Sequence, residues 1–520
     1  MKICRRILKS KREVFWHSKV KSEVSQPRQL WSSINSLLGR GRLSPTELLD
    51  APRCIDFERF FDQKCSAIRP SCFNSCSPTY TDRAPKTNFS EFSTVTFSLV
   101  ASTIRSFPNK QSSRDPLPTL YLKECLDLLS PLLTCLVNKS LSQGVFPKSL
   151  AVACVTPILK KNNSAIDELN SYRPISNLTV LSKLVERPCY KQLMSYLNDN
   201  DLLPVSESAY RRHHSTETVI LRMMSDFLTS MDNGKVTLLA SLDLSSAFDL
   251  VDHSILLHRL SSSFKLSSTV LKWFGSFLTE RSQYIQFRGT FSSVHSVSFG
   301  VPQGSVLGPI LFILYISDII DIAKIFDLNV HVFADDIQLY GACSPSQVNL
   351  LSSRMSACVA ALDSWLKTNS LHLNALKTNL MWIGTRQRLD QIDRRPIPVG
   401  AHLIHPASSL RCLGFTIDST LSLSPHVYKI LSSCFGTLRQ LRSVRRSITR
   451  PLAISLDRDL SCLLQIGVLL VCFVRPPRLS EHPASVCDQC SCTICGQVVT
   501  FLPHLILSPK LAVAPCKIKN

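Results

Sequence analysis

Glycine is scarce, 16 residues in 520 beside 29 prolines, which excludes a collagen-like chain and long Gly/Ser linkers. No apolar run reaches the ~18 residues that cross a bilayer. The longest, near 306–320 and 463–474, are broken by Gly308, Pro309, Asp318 or Gln465. The start, Met1-Lys2-Ile3-Cys4-Arg5-Arg6, meets Lys9, Lys11, Arg12 and Glu13 almost at once, so the apolar core of a secretory signal does not form. No internal repeat is visible. His213, His214, His253 and His258 fall at no metal-ligand spacing and are expected to cap helices or lie at the surface. Acids are the minority charge: 38 Asp and Glu against 59 Lys and Arg leave a net +21 and a pI near 9.3. That surplus points to a polyanionic partner, nucleic acid or an acidic membrane face.

What is present is enough to fold. The chain is 44% hydrophobic and 8% aromatic, beyond the range of a disordered sequence, and its length allows roughly three domains. Twenty scattered cysteines without a leader read as reduced thiols of an intracellular protein that is not secreted. Near the N-terminus, Lys9-Ser10-Lys11-Arg12-Glu13-Val14-Phe15-Trp16-His17-Ser18-Lys19-Val20-Lys21 mixes cations with aromatics, suiting either a nucleic-acid backbone or a solvated helical face. Ser, Pro, Cys and Thr without periodicity mark a linker over 70–86. Helical spacing follows at 121–129 and 132–141, ended by Gly144-Val145-Phe146-Pro147, then an apolar strand over 152–159 and a polar turn, Lys160-Lys161-Asn162-Asn163. Helices are predicted over 180–197 and 217–231.

Three segments carry chemistry. Val236-Thr237-Leu238-Leu239-Ala240-Ser241-Leu242-Asp243-Leu244 is a buried-strand pattern containing one carboxylate, which needs a cation. Farther on, Val330-His331-Val332-Phe333-Ala334-Asp335-Asp336-Ile337-Gln338-Leu339-Tyr340 sets two adjacent acids between short strands, the pattern of a tight hairpin. Three acids gathered from separate strands repel one another, and hard divalent cations such as magnesium relieve that repulsion. An Asp-Asp dipeptide alone is usually a solvated turn. Between these strands lies Gly300-Val301-Pro302-Gln303-Gly304-Ser305-Val306-Leu307-Gly308-Pro309, a glycine-bounded loop opening an apolar helix over 310–320. Gln303 there offers donors and acceptors, and Pro309 suits a first helical turn.

Together these segments resemble the palm of a reverse transcriptase, specifically that of non-long-terminal-repeat retrotransposons of the long interspersed element type. The stretch from Ser241-Leu242-Asp243 to Phe248-Asp249-Leu250-Val251-Asp252-His253 is similar to the first acidic motif of that family, and Phe333-Ala334-Asp335-Asp336 to the second. The likeness extends to Asp115-Pro116-Leu117-Pro118-Thr119, Thr156-Pro157-Ile158-Leu159-Lys160-Lys161, Ser171-Tyr172-Arg173-Pro174-Ile175-Ser176-Asn177-Leu178 and Ser208-Ala209-Tyr210-Arg211-Arg212-His213-His214-Ser215-Thr216. Downstream it reaches Leu371-His372-Leu373-Asn374-Ala375-Leu376-Lys377-Thr378 and Leu410-Arg411-Cys412-Leu413-Gly414-Phe415-Thr416-Ile417-Asp418.

The resemblance implies an α+β right-hand polymerase fold of fingers and palm, with an antiparallel palm sheet and helices on one face; after about Pro451 family sequence is no longer recognised, so the thumb is expected to be incomplete. It implies RNA-directed DNA polymerase activity, extending a primer 3′-hydroxyl with dNTPs, with two Mg2+ ions on Asp243, Asp335 and Asp336. Lys377 would be a general acid; Arg173 and Arg211 would meet the triphosphate; Gln303 and Gly304 would position the nucleotide. Phe248 would exclude a 2′-hydroxyl. Partners would be an RNA template and a DNA primer, without a membrane, at a nuclear and cytoplasmic location. Asp249 and Asp252 are expected to be structural, Asp252 as a helix N-cap.

The chain divides as a basic N-terminal extension (1–69), a linker and lead-in (70–114), the reverse transcriptase domain (115–430, core motifs 142–418), a basic thumb-like helix (431–452) and an unrecognised Cys/Pro-containing tail (453–520). Residues 1–114 show no endonuclease motif, so nicking is expected from elsewhere. No second acidic cluster argues for a ribonuclease H. In the tail, Cys487, Cys490, Cys492 and Cys495 form two Cys-x-x-Cys pairs. One residue separates the pairs where a zinc ribbon has a loop of about 15, so free thiols are favoured over zinc. The alternative function is a catalytically silent remnant that only binds nucleic acid; a multi-metal nuclease is weaker, since the Pro-Gln-Gly loop and Phe248 have no role in it.

Overall fold

The computed structural model describes residues 53–69, 77–109, 112, 115–160 and 165–444, with isolated positions between 7 and 22. The basic stretch 9–21 therefore lies largely outside the described residues, and the Cys487–Cys495 pairs wholly so. The chain falls into two compact units, 1–40 with 426–520, and 41–425.

In the second unit, helices α1 (Cys54–Ile68), α2 (Phe97–Ser106), α3 (Thr119–Glu124) and α4 (Leu126–Gln143) precede strands β1 (Val152–Leu159) and β2 (Tyr172–Asn177). Then come α5 (Val180–Asp199), α6 (Thr216–Asp232), β3 (Val236–Asp243), α7 (His253–Ser262), α8 (Ser268–Leu278), β4 (Arg281–Phe287), β5 (Thr290–Phe291) and β6 (His295–Val297). The chain continues through α9 (Gly308–Ile316), α10 (Ile319–Ile325), β7 (Asn329–Phe333), β8 (Asp336–Cys343), α11 (Val348–Thr368), β9 (Asn379–Ile383) and α12 (Arg386–Leu389). Two hairpins close it, β10 (Ile397–Val399) with β11 (His402–Ile404) and β12 (Ser409–Cys412) with β13 (Phe415–Asp418). The helix α13 (Ser424–Val444) carries most of the basic stretch expected at 438–446; Arg445 and Arg446 lie outside the described residues.

Two sheets organise the unit. One is antiparallel throughout, in the order β7-β8-β3-β9. The other is mixed, with β1 antiparallel to β2 but parallel to β4. The antiparallel sheet is covered on both faces, which corrects the expected single layer of helices. Tyr340 on β8 packs edge-on against Phe227 of α6, with ring centroids 5.2 Å apart. Its neighbour Gly341 turns the other way, where an added Cβ would meet Leu351 of α11. The reason lies in β3: Val236, Leu238, Leu239 and Ala240 are all fully buried, so neither face of this continuous apolar run can be left to water.

The motif segments outside the palm strands anchor helices. Asp115 accepts the Val180 N–H at 2.7 Å, beside the Thr179 side chain that accepts the Ser182 N–H, so both cap α5. Asp252 caps α7 as expected, accepting from the Ser254 and Ile255 amides. The expected break near 130–131 falls instead at Cys125, and Pro131 sits inside α4. So near the helix start, a proline forfeits a single backbone bond. The expected linker is coil where described, but it is tied down by Arg83, which pairs with Asp318 at 2.9 Å. Asp318 also holds Arg259, a fully buried guanidinium that donates to Asn369 at 2.6 Å. Helices α1 and α2 likewise belong to the packed interior. Phe57 of α1 is wedged between Tyr172 and Phe287, with centroids 4.8 and 4.9 Å away, and Val100 and Ile104 of α2 are fully buried. All described cysteines are free thiols. No helix among the described residues is long and apolar enough to cross a membrane.

A candidate active site at the end of the antiparallel sheet

β3 and β8 are in register so that Asp243 lies directly opposite Asp336. β7 and β8 are joined by the two-residue turn Ala334-Asp335, with Phe333 opposite Asp336. Such turns want a positive φ at the first central residue; Ala334 supplies it at +56°, a strained choice for a residue with a Cβ. Asp335 is thereby held at the hairpin tip beside the other two acids. Burial, then the neighbouring carboxylates, pushes the Asp336 carboxyl up to about 6. Burial also raises Asp335, with Asp243 adding to it.

Cations oppose these acids. The Lys377 ammonium donates to the Asp243 carboxylate at 3.0 Å while remaining two-thirds exposed, and Asn374 donates to the same oxygen at 3.2 Å. Arg173, exposed on β2, stabilises the ionised forms of both Asp335 and Asp336. Lys160 is pushed down by burial and then by Lys64, Lys377 and Arg173, so four cations from separate elements share one field. Lys64 belongs to α1, outside every motif read from the sequence; only the folded chain reveals it. Among the described residues, no three His, Cys, Asp or Glu side chains already stand as a metal chelate. The donor chemistry fits a hard divalent cation nonetheless: three carboxylates, two of them driven upward by burial and mutual repulsion, next to cations that compete for them.

The Pro-Gln-Gly loop is bonded to the chain just after β3. The Gly300 amide donates to the Val251 carbonyl at 2.7 Å and the Val301 amide to the Phe248 carbonyl at 2.8 Å. The Gln303 carboxamide donates to Asp249 at 2.8 Å, and its backbone carbonyl accepts from the Ser176 amide at 2.8 Å. Gly304 sits at φ +130°, where a Cβ would lie 2.3 Å from the Ser176 carbonyl oxygen; no larger residue fits without moving β2. His253 is buried, with Nε2 2.8 Å from the Gly300 carbonyl, so that nitrogen carries the proton and donates. This corrects its expected place at a cap or the surface: the ring fills the junction between loop and helix. His214 is exposed, and the His258 ring lies 4.3 Å from Tyr80. Phe248, half-buried, stacks on Phe312 of α9 at 4.5 Å.

Arg211 donates to the Pro204 and Glu207 carbonyls at 2.8 and 3.1 Å, bracing the 204–211 loop. That loop pairs with the edge of β7 through the Ser208 amide and the Val332 carbonyl, and through the Val332 amide and the Ser206 carbonyl. It sets Tyr210 near Asp335, and burial followed by Asp335 raises the Tyr210 hydroxyl. It also places the buried Glu207 carboxyl under the β7–β8 hairpin, accepting the Ala209 amide at 2.7 Å. Burial drives that group up to about 8. A carboxyl raised on folding contributes stability that is fully present below its unfolded value near 4.5 and is lost as pH rises through about 8. Glu207→Gln should therefore gain on the parent between pH 5 and 8 by up to about 1.4 kcal/mol per pH unit, levelling off above. Urea melts of both proteins across that range read this directly, and a pH-independent difference would exclude it.

Residues 158–417, half of the chain, match the reverse transcriptase (RNA-dependent DNA polymerase) family. Over 350 residues the chain is 28% identical to the probable RNA-directed DNA polymerase from transposon BS of Drosophila melanogaster, covering 66% of this chain and 38% of that protein. It is 27% identical over 345 residues to the RNA-directed DNA polymerase from mobile element jockey of the same species, covering 65% and 37%. The Pol polyprotein from type-1 retrotransposable element R1 of Bradysia coprophila is 25% identical over 340 residues, covering 65% and 32%. The chain thus spans less than two fifths of the length of these relatives.

Proposed function

The chain belongs to the reverse transcriptase family, and from that premise we propose that it is an RNA-directed DNA polymerase of non-long-terminal-repeat retrotransposon origin with fingers and palm in a right-hand arrangement. It extends a primer 3′-hydroxyl with dNTPs on an RNA template. The observation that carries the reading is the pairing of Asp243 with Asp336 across adjoining strands, with Asp335 at the turn beside them.

Asp243, Asp335 and Asp336 would hold two Mg2+ ions, which when bound supply charge neutralisation and acidify the attacking hydroxyl. In the reaction, the primer 3′-hydroxyl gives its proton to solvent as its oxygen forms a bond to the α-phosphorus of the dNTP and the bond to pyrophosphate breaks. The three carboxylates orient the reacting groups. Arg173 and Arg211 serve the triphosphate, with the nearby Lys64 and Lys160 adding to the positive field that draws it in. Lys377 gives a proton to the departing pyrophosphate oxygen and is replenished from solvent, to which it is open. Gln303 and Gly304 form the wall against which the nucleotide is placed.

Phe248 packs under the sugar and leaves no room for a 2′-hydroxyl. Phe248→Val should raise the use of ribonucleotides relative to deoxynucleotides about 10- to 100-fold, as read by single-nucleotide incorporation; an unchanged ratio would remove Phe248 from sugar selection. Primer extension by the full chain on an RNA template tests the function itself. Tight RNA binding without extension, from a cooperatively folded protein, would favour the silent remnant.

A further inference from the structure

Helix α4 has two apolar faces, and the fold uses one of them. Leu133, Val137 and Leu141 are buried, and the Trp273 indole of α8 donates to the Ser140 hydroxyl at 3.0 Å, so the inner face is firmly seated. The outer face is not the polar one that a surface helix presents to water. Tyr121, Cys125, Leu128, Leu132, Cys135 and Lys139 follow one another at spacings of 4, 3, 4, 3 and 4, and all six are exposed. Leu128 is 80% exposed, Leu132 68% and Tyr121 54%. The row starts on α3 and passes through the junction at Cys125 without losing its phase. There the Cys125 amide donates to the Tyr121 carbonyl at 2.9 Å, and the Cys125 carbonyl accepts from the Leu129 amide at 3.0 Å, continuing the helical ladder.

A regular alternation of 4 and 3 is the seam of a coiled coil, and a continuous apolar row left in water marks a surface that another helix covers. We propose that this seam pairs with the same seam of a second copy of the chain, antiparallel, in a two-fold dimer.

Charge sets both the direction and the occupant. In a parallel pair, Lys139 would face Lys139 of the second copy inside the seam. In an antiparallel pair centred at the level of Ser130, Leu128 meets Leu132 of the second copy, Cys125 meets Cys135, and Lys139 lies over Tyr121 beside the exposed Glu124. Two-fold symmetry makes each contact twice. The lysine stem then covers the tyrosine ring while its ammonium meets the ring face and the carboxylate. One end of the row is thus complementary to the other end, which selects a second copy over an unrelated helix. The seam is about 27 Å long and narrow, at the small end of specific interfaces, so pairing depends on concentration. None of its residues belongs to the proposed active site, and the inference goes beyond the polymerase reading without resting on it.

The test is sedimentation equilibrium of the full chain from about 1 to 100 µM. The mass should rise reversibly from one copy toward two. Leu128→Glu, which sets a carboxylate against Leu132 of the second copy at two places, should raise the dissociation constant about 30-fold or more. The exposure of Leu128 means that this change should leave the melting temperature of the chain unaltered. Glu124→Lys and Lys139→Glu should each weaken the dimer about fivefold, and the two together should restore it to within about twofold of the native value. A chain that stays monomeric throughout would overturn the proposal and leave the seam to a helix of another protein. A dimer that Leu128→Glu leaves intact, or one that the paired charge exchange fails to restore, would overturn it equally. Primer extension by the same preparations reports on the polymerase reading separately, since neither result bears on the other.

Discussion

Asp335→Ala should reduce primer extension about 10³-fold or more while leaving thermal stability unchanged or slightly higher. The two halves of that result have one cause. Asp335 stands at a hairpin tip among acids that repel it, and its own charge helps raise Asp336 to about 6. In the metal-free protein it is therefore a source of repulsion, and removing it relieves Asp336. In the proposed reaction the same carboxylate would hold charge where charge develops, and losing one such group from a preorganised site typically costs two to three orders of magnitude or more. Melting curves and single-turnover extension on the same preparations separate these effects. Loss of activity together with a large fall in Tm would instead make Asp335 a structural residue.

Glu186→Ala should destabilise the fold by about 3–5 kcal/mol. Glu186 lies on α5 and is fully buried. One carboxylate oxygen accepts the Val306 and Leu307 amides at 2.7 and 3.1 Å; the other accepts the Ser182 hydroxyl at 3.0 Å. Burial raises its carboxyl, while the buried Arg281 guanidinium and these hydrogen bonds pull it down. Alanine would leave two amides at the entry to α9 without partners and Arg281 without its counter-charge. Since those amides close the Pro-Gln-Gly loop, activity should fall with stability. A denaturant titration monitored by tryptophan fluorescence measures the loss, and a change below about 1 kcal/mol would mean that water or a neighbouring group replaces the carboxylate.

The parts of this protein that periodicity and turn chemistry dictate were legible in the sequence. The strand over 152–159, the buried strand ending at Asp243 and the hairpin around Asp335 and Asp336 are found where their patterns place them. Pro309 does open a helix, and Asp252 does cap one. What was hidden depends on contacts between distant segments. Nothing in the spacing of Glu186 or Glu207 tells that each will be buried against backbone amides 120 and 127 residues away. Lys64 looks like one more cation in a basic extension until α1 packs onto β4 and brings it into the field of Lys160 and Asp249. His253 had no metal-ligand spacing, and its partner, a backbone carbonyl, leaves no mark in sequence. The apolar helix expected over 310–320 ends at Ile316 and resumes at Ile319. Asp318 at the junction is drawn to Arg259 and Arg83, a tertiary demand that outweighs helical continuity.

The most direct test of the central assignment is a time course of primer extension on a defined RNA template, with dNTPs and magnesium, by the purified full chain beside Asp335→Ala. The arrangement of acids, cations and loop predicts templated DNA synthesis that depends on magnesium and disappears in the variant. Extension that persists in Asp335→Ala, or a folded, RNA-binding native protein that never extends the primer, would contradict it.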